Sequence, residues 1–496
     1  MKTGFLKHRL LETVPALLSY LVLILPLILA FRHPVWVAVF IICFDLYWLF
    51  KSLYFSTHIV RSYARLRRSK RIKWDEKLKL LNDNQAKKIH HLVLLCINKE
   101  DPEIADACFA ALARSKFDCR HQMSVVFSLE ERGLGITKPA IDIIKKKYSN
   151  KFRHLLITVH PKDLPGEVKG KGPNLNWAMK VFQKDILSKL KADPKDILVT
   201  VYDIDGIIHS QYFACLTYTY LTDDRAAHHS YQPIPFYFNN LWDTPSMMRV
   251  VAMGSSYWQM IESSRNLDLR IFSAYSVSYH ILKKADFWSY TTPVEDGMQY
   301  WRNYVAMNGD YEVIPIYLTV NMDAVLDKNY WSTYYAQYKQ LRRWATGASD
   351  ITFIVPHFWG NKKIPWYKRF VRFWRFMDSH ISWSTAPLTI LLVGWYPLIV
   401  NPNFGHTVLG ANLGKTTSTI LTVALVGIFI SMILNVLLLP RKQKKISYSV
   451  WSVLQWVFLP LITIFYGALP ALDAQTRLAL GKIIKFEGTD KVRKKK

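Results

Sequence analysis

The strongest constraint on this chain is where its apolar residues lie. Residues 14–31 read VPALLSYLVLILPLILAF without a single charge, and residues 35–50 read VWVAVFIICFDLYWLF with Asp45 as the one acid. Three more such stretches, 382–400, 418–439 and 450–471, stand near the other end. Each approaches the roughly 20 residues that carry a helix across a bilayer. The first two are shorter, which predicts a tight hairpin at Arg32, His33 and Pro34. A cleaved signal peptide is the alternative for residues 1–31, but a second apolar stretch follows at once and no small-residue cleavage site is evident.

Half of the 496 residues are hydrophobic, yet the formal net charge is +28. The two agree if the charge lies outside the spans. Basic residues crowd segment 61–90, from Arg61 to Lys88, and recur as RKQKK at 441–445, whereas Lys415 is the one basic residue between the third and fourth stretches. By the positive-inside rule the polar block between the second and third stretches is expected in the cytoplasm. Loops flanking spans account for most of the charge, which argues against a nucleic-acid partner. Three spans after the block would leave the basic C-terminal tail outside. Pro460 and Pro470 resolve that conflict if the last stretch is a re-entrant or interfacial piece. Cys43, Cys96, Cys108, Cys119 and Cys215 show no metal or disulfide spacing, as suits a reducing compartment.

The expected division is a transmembrane hairpin (1–60), a basic cytoplasmic linker (61–87), a cytoplasmic catalytic domain (88–355), an amphipathic interfacial helix (356–381), a C-terminal membrane region (382–471) and a basic tail (472–496). Inside the third part, HHLVLLCIN at 90–98, SVVFSLE at 124–130, HLLITVH at 154–160 and ILVTVYD at 197–203 read as buried strands. Helical patterns fall between them at 102–115, 136–148 and 174–190. This rhythm predicts a mostly parallel sheet with helices on both faces. Such sheets bind ligands beyond the carboxyl ends of their strands. Asp203 and Asp205 lie there, two apart and pointing the same way. Paired hard oxygens at that spacing suit magnesium or manganese with phosphates completing the shell, although a solvated acidic turn reads the same way.

Three further stretches accompany VYDIDG at 201–206: KGKGPNLNWAM at 169–179, VEDGMQYW at 294–301 and QLRRWATG at 340–347. Their order resembles that of the membrane-embedded family 2 inverting glycosyltransferases, of the cellulose synthase and hyaluronan synthase type, over nearly the whole chain. The resemblance implies a GT-A-type α/β domain flanked by transmembrane helices. It implies a nucleotide diphosphate sugar as donor, a UDP-sugar for choice, with Mg2+ or Mn2+ held by Asp205 and Asp203. Lys171 would add a charge to the phosphates from a glycine-flexed loop. Asp296 would be the base that deprotonates the acceptor hydroxyl, with Glu295 orienting it. Gln340, Arg343 and Trp344, nearly on one helical face, would close the pocket, Arg343 on the departing diphosphate and Trp344 under the acceptor sugar. Arg342 would point elsewhere, as ordinary surface.

The chain also departs from that pattern. Where the family has Tyr-Asn-Glu, it has Asn98-Lys99-Glu100. Glu130 and Glu131 stand where paired aspartates contact the nucleotide, and Val294 replaces a threonine. FEGTDK at 486–491 resembles the family's gating loop, with Thr489 and Lys491 near phosphates, but at the chain's end and not between spans. Residues 362–378 mix basic and aromatic residues, as an interfacial helix does.

The expected function is a processive or oligomer-extending transferase in the plasma membrane, building a β-linked glycan and passing it across. Its partners would be membrane lipid, the nucleotide sugar, a glycan or lipid-linked acceptor, and a second copy or an export partner. The alternatives are a non-processive enzyme with a lipid acceptor and a non-catalytic scaffold.

Overall fold

A computed structural model describes residues 2–81, 83–265, 267, 269–438 and 446–482. Two helices, Lys2–Arg32 and Pro34–Ser69, meet at His33. Pro34 has no N–H to carry the first helix onward but fits the first turn of the next. The second helix has 36 residues, enough to cross a bilayer and continue about 20 Å beyond it. Its far end enters the α/β domain, where Ile59 and Leu66 join the core and Arg65 donates to the Tyr317 hydroxyl at 2.7 Å.

Among the described residues four helices are long and apolar enough to cross a membrane: Lys7–Arg32, Pro34–Ser69, Val408–Leu438 and Val450–Ala479. The expected span at 382–400 is divided. Residues up to Leu392 complete a helix that begins at Trp366, and a new short helix, Tyr396–Val400, starts beyond Gly394. Trp366, Tyr367, Phe370 and Trp374 on the first part of Trp366–Leu392 are exposed.

The α/β domain is built on eight strands: β1 His90–Ile97, β2 Met123–Glu130, β3 His154–His160, β4 Ile197–Asp203, β5 Ile207–Ile208, β6 His229–Phe236, β7 Tyr275–Ser278 and β8 Glu312–Asn321. They order as β3-β2-β1-β4-β7-β6-β8-β5. β1 is buried on both sides: Val93 and Leu95 face one apolar cluster, Leu92 and Leu94 the other. Helices Pro102–Ala113, Leu134–Tyr148 and Ser246–Ser263 cover the first face, and Lys171–Phe182 and Glu295–Ala306 the second.

The expected open, mostly parallel GT-A-type sheet is corrected by this topology. Only the β3-β2-β1-β4 half is parallel throughout. β7 runs antiparallel to both β4 and β6, β5 runs antiparallel to β8, and the sheet curls into a half-barrel. A register break between Gln232 and Ile234 accompanies the curl, at Pro233, which has no N–H to give to the ladder.

The last apolar segment runs along the domain. Arg249 Nε donates to Gln455 Oε1 at 2.9 Å, Trp456 stacks on Tyr257 at 6.0 Å, and Tyr466 meets Tyr334 at 6.5 Å. A 3-10 turn, Gln455–Phe458, precedes Pro460, and a π turn, Thr463–Ala468, precedes Pro470. The missing proline N–H groups interrupt the regular ladder at both places. Arg342 is therefore not ordinary surface: it pairs with Asp473 at 3.0 Å and ties the QLRRW helix to this segment. Arg9 of the first helix donates to the carbonyls of Leu478 and Ala479. Both described ends of the chain thus lie on the domain's side. Replacing Trp456, which is buried, with alanine should cost about 3 kcal/mol of unfolding free energy. Denaturant titration in detergent, followed by tryptophan fluorescence, measures it.

Candidate active site

Parallel strands deliver their carboxyl ends to one edge, and the charged residues gather there. Asp203 ends β4, in register with Cys96 on β1, while Glu130 ends β2 in register with His160 on β3. Lys171 begins the helix Lys171–Phe182 and its Nζ reaches Asp203 Oδ1 at 2.6 Å. Gly172 makes this approach possible. A Cβ there would lie 2.5 Å from the Ser289 carbonyl and 3.2 Å from Glu295 Cβ, so only glycine lets the loop lie against the start of helix Glu295–Ala306. Burial works against the Lys171 charge, but Asp203 and Glu295 outweigh it and hold the ammonium above its ordinary pKa.

Glu295 and Asp296 are adjacent yet differently placed. Glu295 is 8 % exposed. Burial, and then the like charge of Asp296, push its pKa up to about 7, with Lys171 opposing. Asp296 is half-buried and accepts two backbone N–H bonds, from Ser273 at 2.7 Å and from Gly297 at 2.8 Å. Both fix its carboxylate in one orientation at the positive end of a helix. Beside it lies Asp350, whose Oδ2 is 3.7 Å from where a Cβ on Gly297 would stand. Burial raises the Asp350 pKa, which Arg270 opposes and Asp296 reinforces.

Asp205 lies deeper in the fold. It is 1 % exposed, and its Oδ2 accepts the Asp323 N–H at 2.9 Å. Asn239 braces the same corner, donating to the Asp205 carbonyl at 3.0 Å and to Asp323 Oδ1 at 2.9 Å. Helix Tyr330–Ala345 carries QLRRW and begins in a capping box at Asn329 and Ser332. Gln340 is buried and accepts from Gln337 at 3.1 Å. Trp344 packs against Tyr237 at 6.2 Å, two residues before Asn239. The turn Thr346–Asp350 then leads from Arg343 and Trp344 to Asp350 beside Asp296. The C-terminal end of the QLRRW helix thus lies against Tyr237, and the turn after it places Asp350 beside Asp296.

Glu130 accepts from His160 at 3.1 Å and lies 3.9 Å from Arg132. Glu100 caps its own loop, accepting from Asn98 N at 2.8 Å and Lys99 N at 3.0 Å. Thr489 and Lys491 lie outside the described residues. Among the described residues no group of three or more His, Cys, Asp and Glu side chains forms a metal cage. Asp203, with 36 % of its side chain exposed, and the buried Asp205 are the carboxylates at this edge that a magnesium or manganese ion would use, with phosphates and water supplying the rest.

Several groups here were not expected from the sequence. Cys96 interacts with Lys171, Glu130, Glu295 and Asp203, and burial raises its thiol pKa. Its place at the end of HHLVLLCIN, beside the end of ILVTVYD, was the available signal. Asp323, Asn239, Ser273 and Asp350 carry no local signal, because long-range pairing alone brings them in.

No protein-family model and no curated protein matches the chain. It is similar to the solved structure of a mannosyltransferase from Pyrobaculum calidifontis in complex with GDP-Man and Mn2+, at 12% identity and a TM-score of 0.41, over 86% of this chain and 99% of that one. It is also similar to residues 1–349 of S. aureus TarS in complex with UDP, at 12% identity and a TM-score of 0.36, over 81% of this chain and 95% of that one. Likenesses this slight decide nothing about the chain, and the residues themselves have to.

The raised Glu295 pKa predicts a pH dependence. The native state holds a proton that the unfolded chain releases near the ordinary glutamate value of 4.5, so stability falls as pH rises from there to about 7. Glu295→Gln should remove about 3 kcal/mol of that fall. Denaturation midpoints of both proteins between pH 4.5 and pH 8 give the difference.

Proposed function

We propose that this chain is a membrane-anchored inverting glycosyltransferase that moves a sugar from a nucleoside diphosphate sugar to a hydroxyl acceptor. The observation that carries the reading is the convergence of Lys171, Asp203, Glu295 and Asp296 at the carboxyl ends of the strands. They come from three separate segments of a chain with four membrane-length apolar helices.

The chemistry follows from the placement. Asp296, held by two N–H groups, takes the proton of the acceptor hydroxyl. The acceptor oxygen then bonds to the anomeric carbon as the bond to the diphosphate oxygen breaks. The electron pair leaves with the nucleoside diphosphate, and the configuration at carbon inverts. Lys171 and Arg343 supply positive charge for that leaving group. Asp203 and Asp205 are the residues that would hold a magnesium or manganese ion, whose charge would offset the diphosphate's. Glu295, about half protonated near pH 7, orients the acceptor beside the base. Trp344 offers a face to the terminal sugar, and Glu130 at the end of β2 and Glu100 in the loop after β1 lie where the nucleoside would rest.

The motif order supports glycan extension, with a UDP-sugar as donor and the product passed across the membrane. A lipid-borne acceptor is the second reading, favoured by the exposed Trp366, Tyr367, Phe370 and Trp374 leading from the domain toward the apolar helices. Membranes containing the chain, given a panel of radiolabelled nucleotide sugars with magnesium or manganese, should transfer from one donor. Asp296→Asn should lower kcat at least about 100-fold while leaving donor binding intact. Product length on a gel separates extension from single transfer. No transfer from any donor to glycan or lipid acceptors, with folded protein, would favour the non-catalytic scaffold.

A further inference from the structure

Asp45 does not belong to the site described above. It lies eleven residues past Pro34, about 17 Å along the helix and so near the middle of a hydrocarbon layer of about 30 Å. Its residue is 4 % exposed, and no group among the described residues hydrogen-bonds to its side chain. It lines a cavity of about 40 Å³ with Thr389 and Thr417. That volume holds roughly two or three waters and no sugar. Thr389 is 2 % exposed and its Oγ1 is a buried hydroxyl with no partner. Thr417 Oγ1 donates to the carbonyls of Leu413 and Gly414, which leaves its lone pairs to accept. Trp395 packs on Gly414, where a Cβ would stand 2.6 Å from the ring, and closes the wall.

No other titratable side chain lines the cavity. Lys51 on the same helix is held by Asp378 of helix Trp366–Leu392 at 3.2 Å, and Lys415 on helix Val408–Ala424 is exposed. An ionised carboxylate without a counter-charge is too costly at this depth. One positive charge has to accompany it. The hydroxyls of Thr389, Thr417 and the exposed Ser418, with one carboxyl, give too few hard ligands and too little charge for a divalent ion. We propose that Asp45, Thr389 and Thr417 form a membrane-buried site for one small monovalent cation, a proton or a sodium ion.

A ligand that binds only the folded state raises its stability, so thermal unfolding of the full chain in lipid nanodiscs reads the site. At fixed alkaline pH, sodium chloride in place of choline chloride should raise the midpoint by several degrees in the wild type and not in Asp45→Asn, with Thr389→Val weakening the response. That result assigns sodium. A midpoint insensitive to sodium that climbs as pH falls, again only with Asp45 present, assigns the proton. Equal responses of wild type and Asp45→Asn to both variables overturn the proposal. Carbodiimide labelling of the wild type, followed by mass spectrometry, is independent of that variant's folding. Label on Asp45 that sodium or alkali suppresses supports the site, and absent or unresponsive label overturns it.

Discussion

One ammonium group holds the candidate site together. Lys171 lies 2.6 Å from Asp203 and interacts with Glu295, in surroundings that would otherwise crowd three carboxylates around one strand edge. A buried pair of this kind is weak evidence of stability, because desolvation cancels much of its attraction. Removing one partner is a different matter, since the remaining charges lose that compensation. The pair therefore fixes geometry. It ties the first turn of one helix to the end of β4, while the close approach at Gly172 brings that turn against Glu295. Asp296 is then presented by the first turn of its own helix, with its carboxylate held by Ser273 and Gly297.

The apolar helices are part of the same construction. Helix Pro34–Ser69 runs unbroken into the domain core, and the final segment lies along the domain's helices from Gln455 to Asp473. Asp473 receives Arg342, two residues before Trp344, so the final segment braces the QLRRW helix. Arg9 at one end of the chain and Leu478 at the other are hydrogen-bonded neighbours on the domain's side.

Elements with regular patterns could be read directly from the sequence. The four strands of the parallel half are continuous apolar runs, and the helix at 102–115 has Asp101 as its cap and Pro102 in its first turn. The other half of the sheet was missed for physical reasons. β5 has two residues and β7 four, too few to show any period, and β6 and β8 contain prolines that argue against strands. Their pairing is decided by the curl of the sheet and not by local preference. The same holds at the site. Asp203, Asp205, Glu295 and Asp296 stand in short motifs, whereas Asn239, Ser273 and Asp323 reach the site only through long-range pairing. Arg342 was misjudged because its partner lies 131 residues away.

The central claim is that acceptor attack is directed by Asp296 from the face opposite the leaving diphosphate. The most direct measurement is the anomeric configuration of the first bond formed, read by proton NMR on product made from an α-linked nucleotide sugar. A β-linkage is predicted. An α-linkage would contradict a single displacement at this site and require a different role for Glu295 and Asp296.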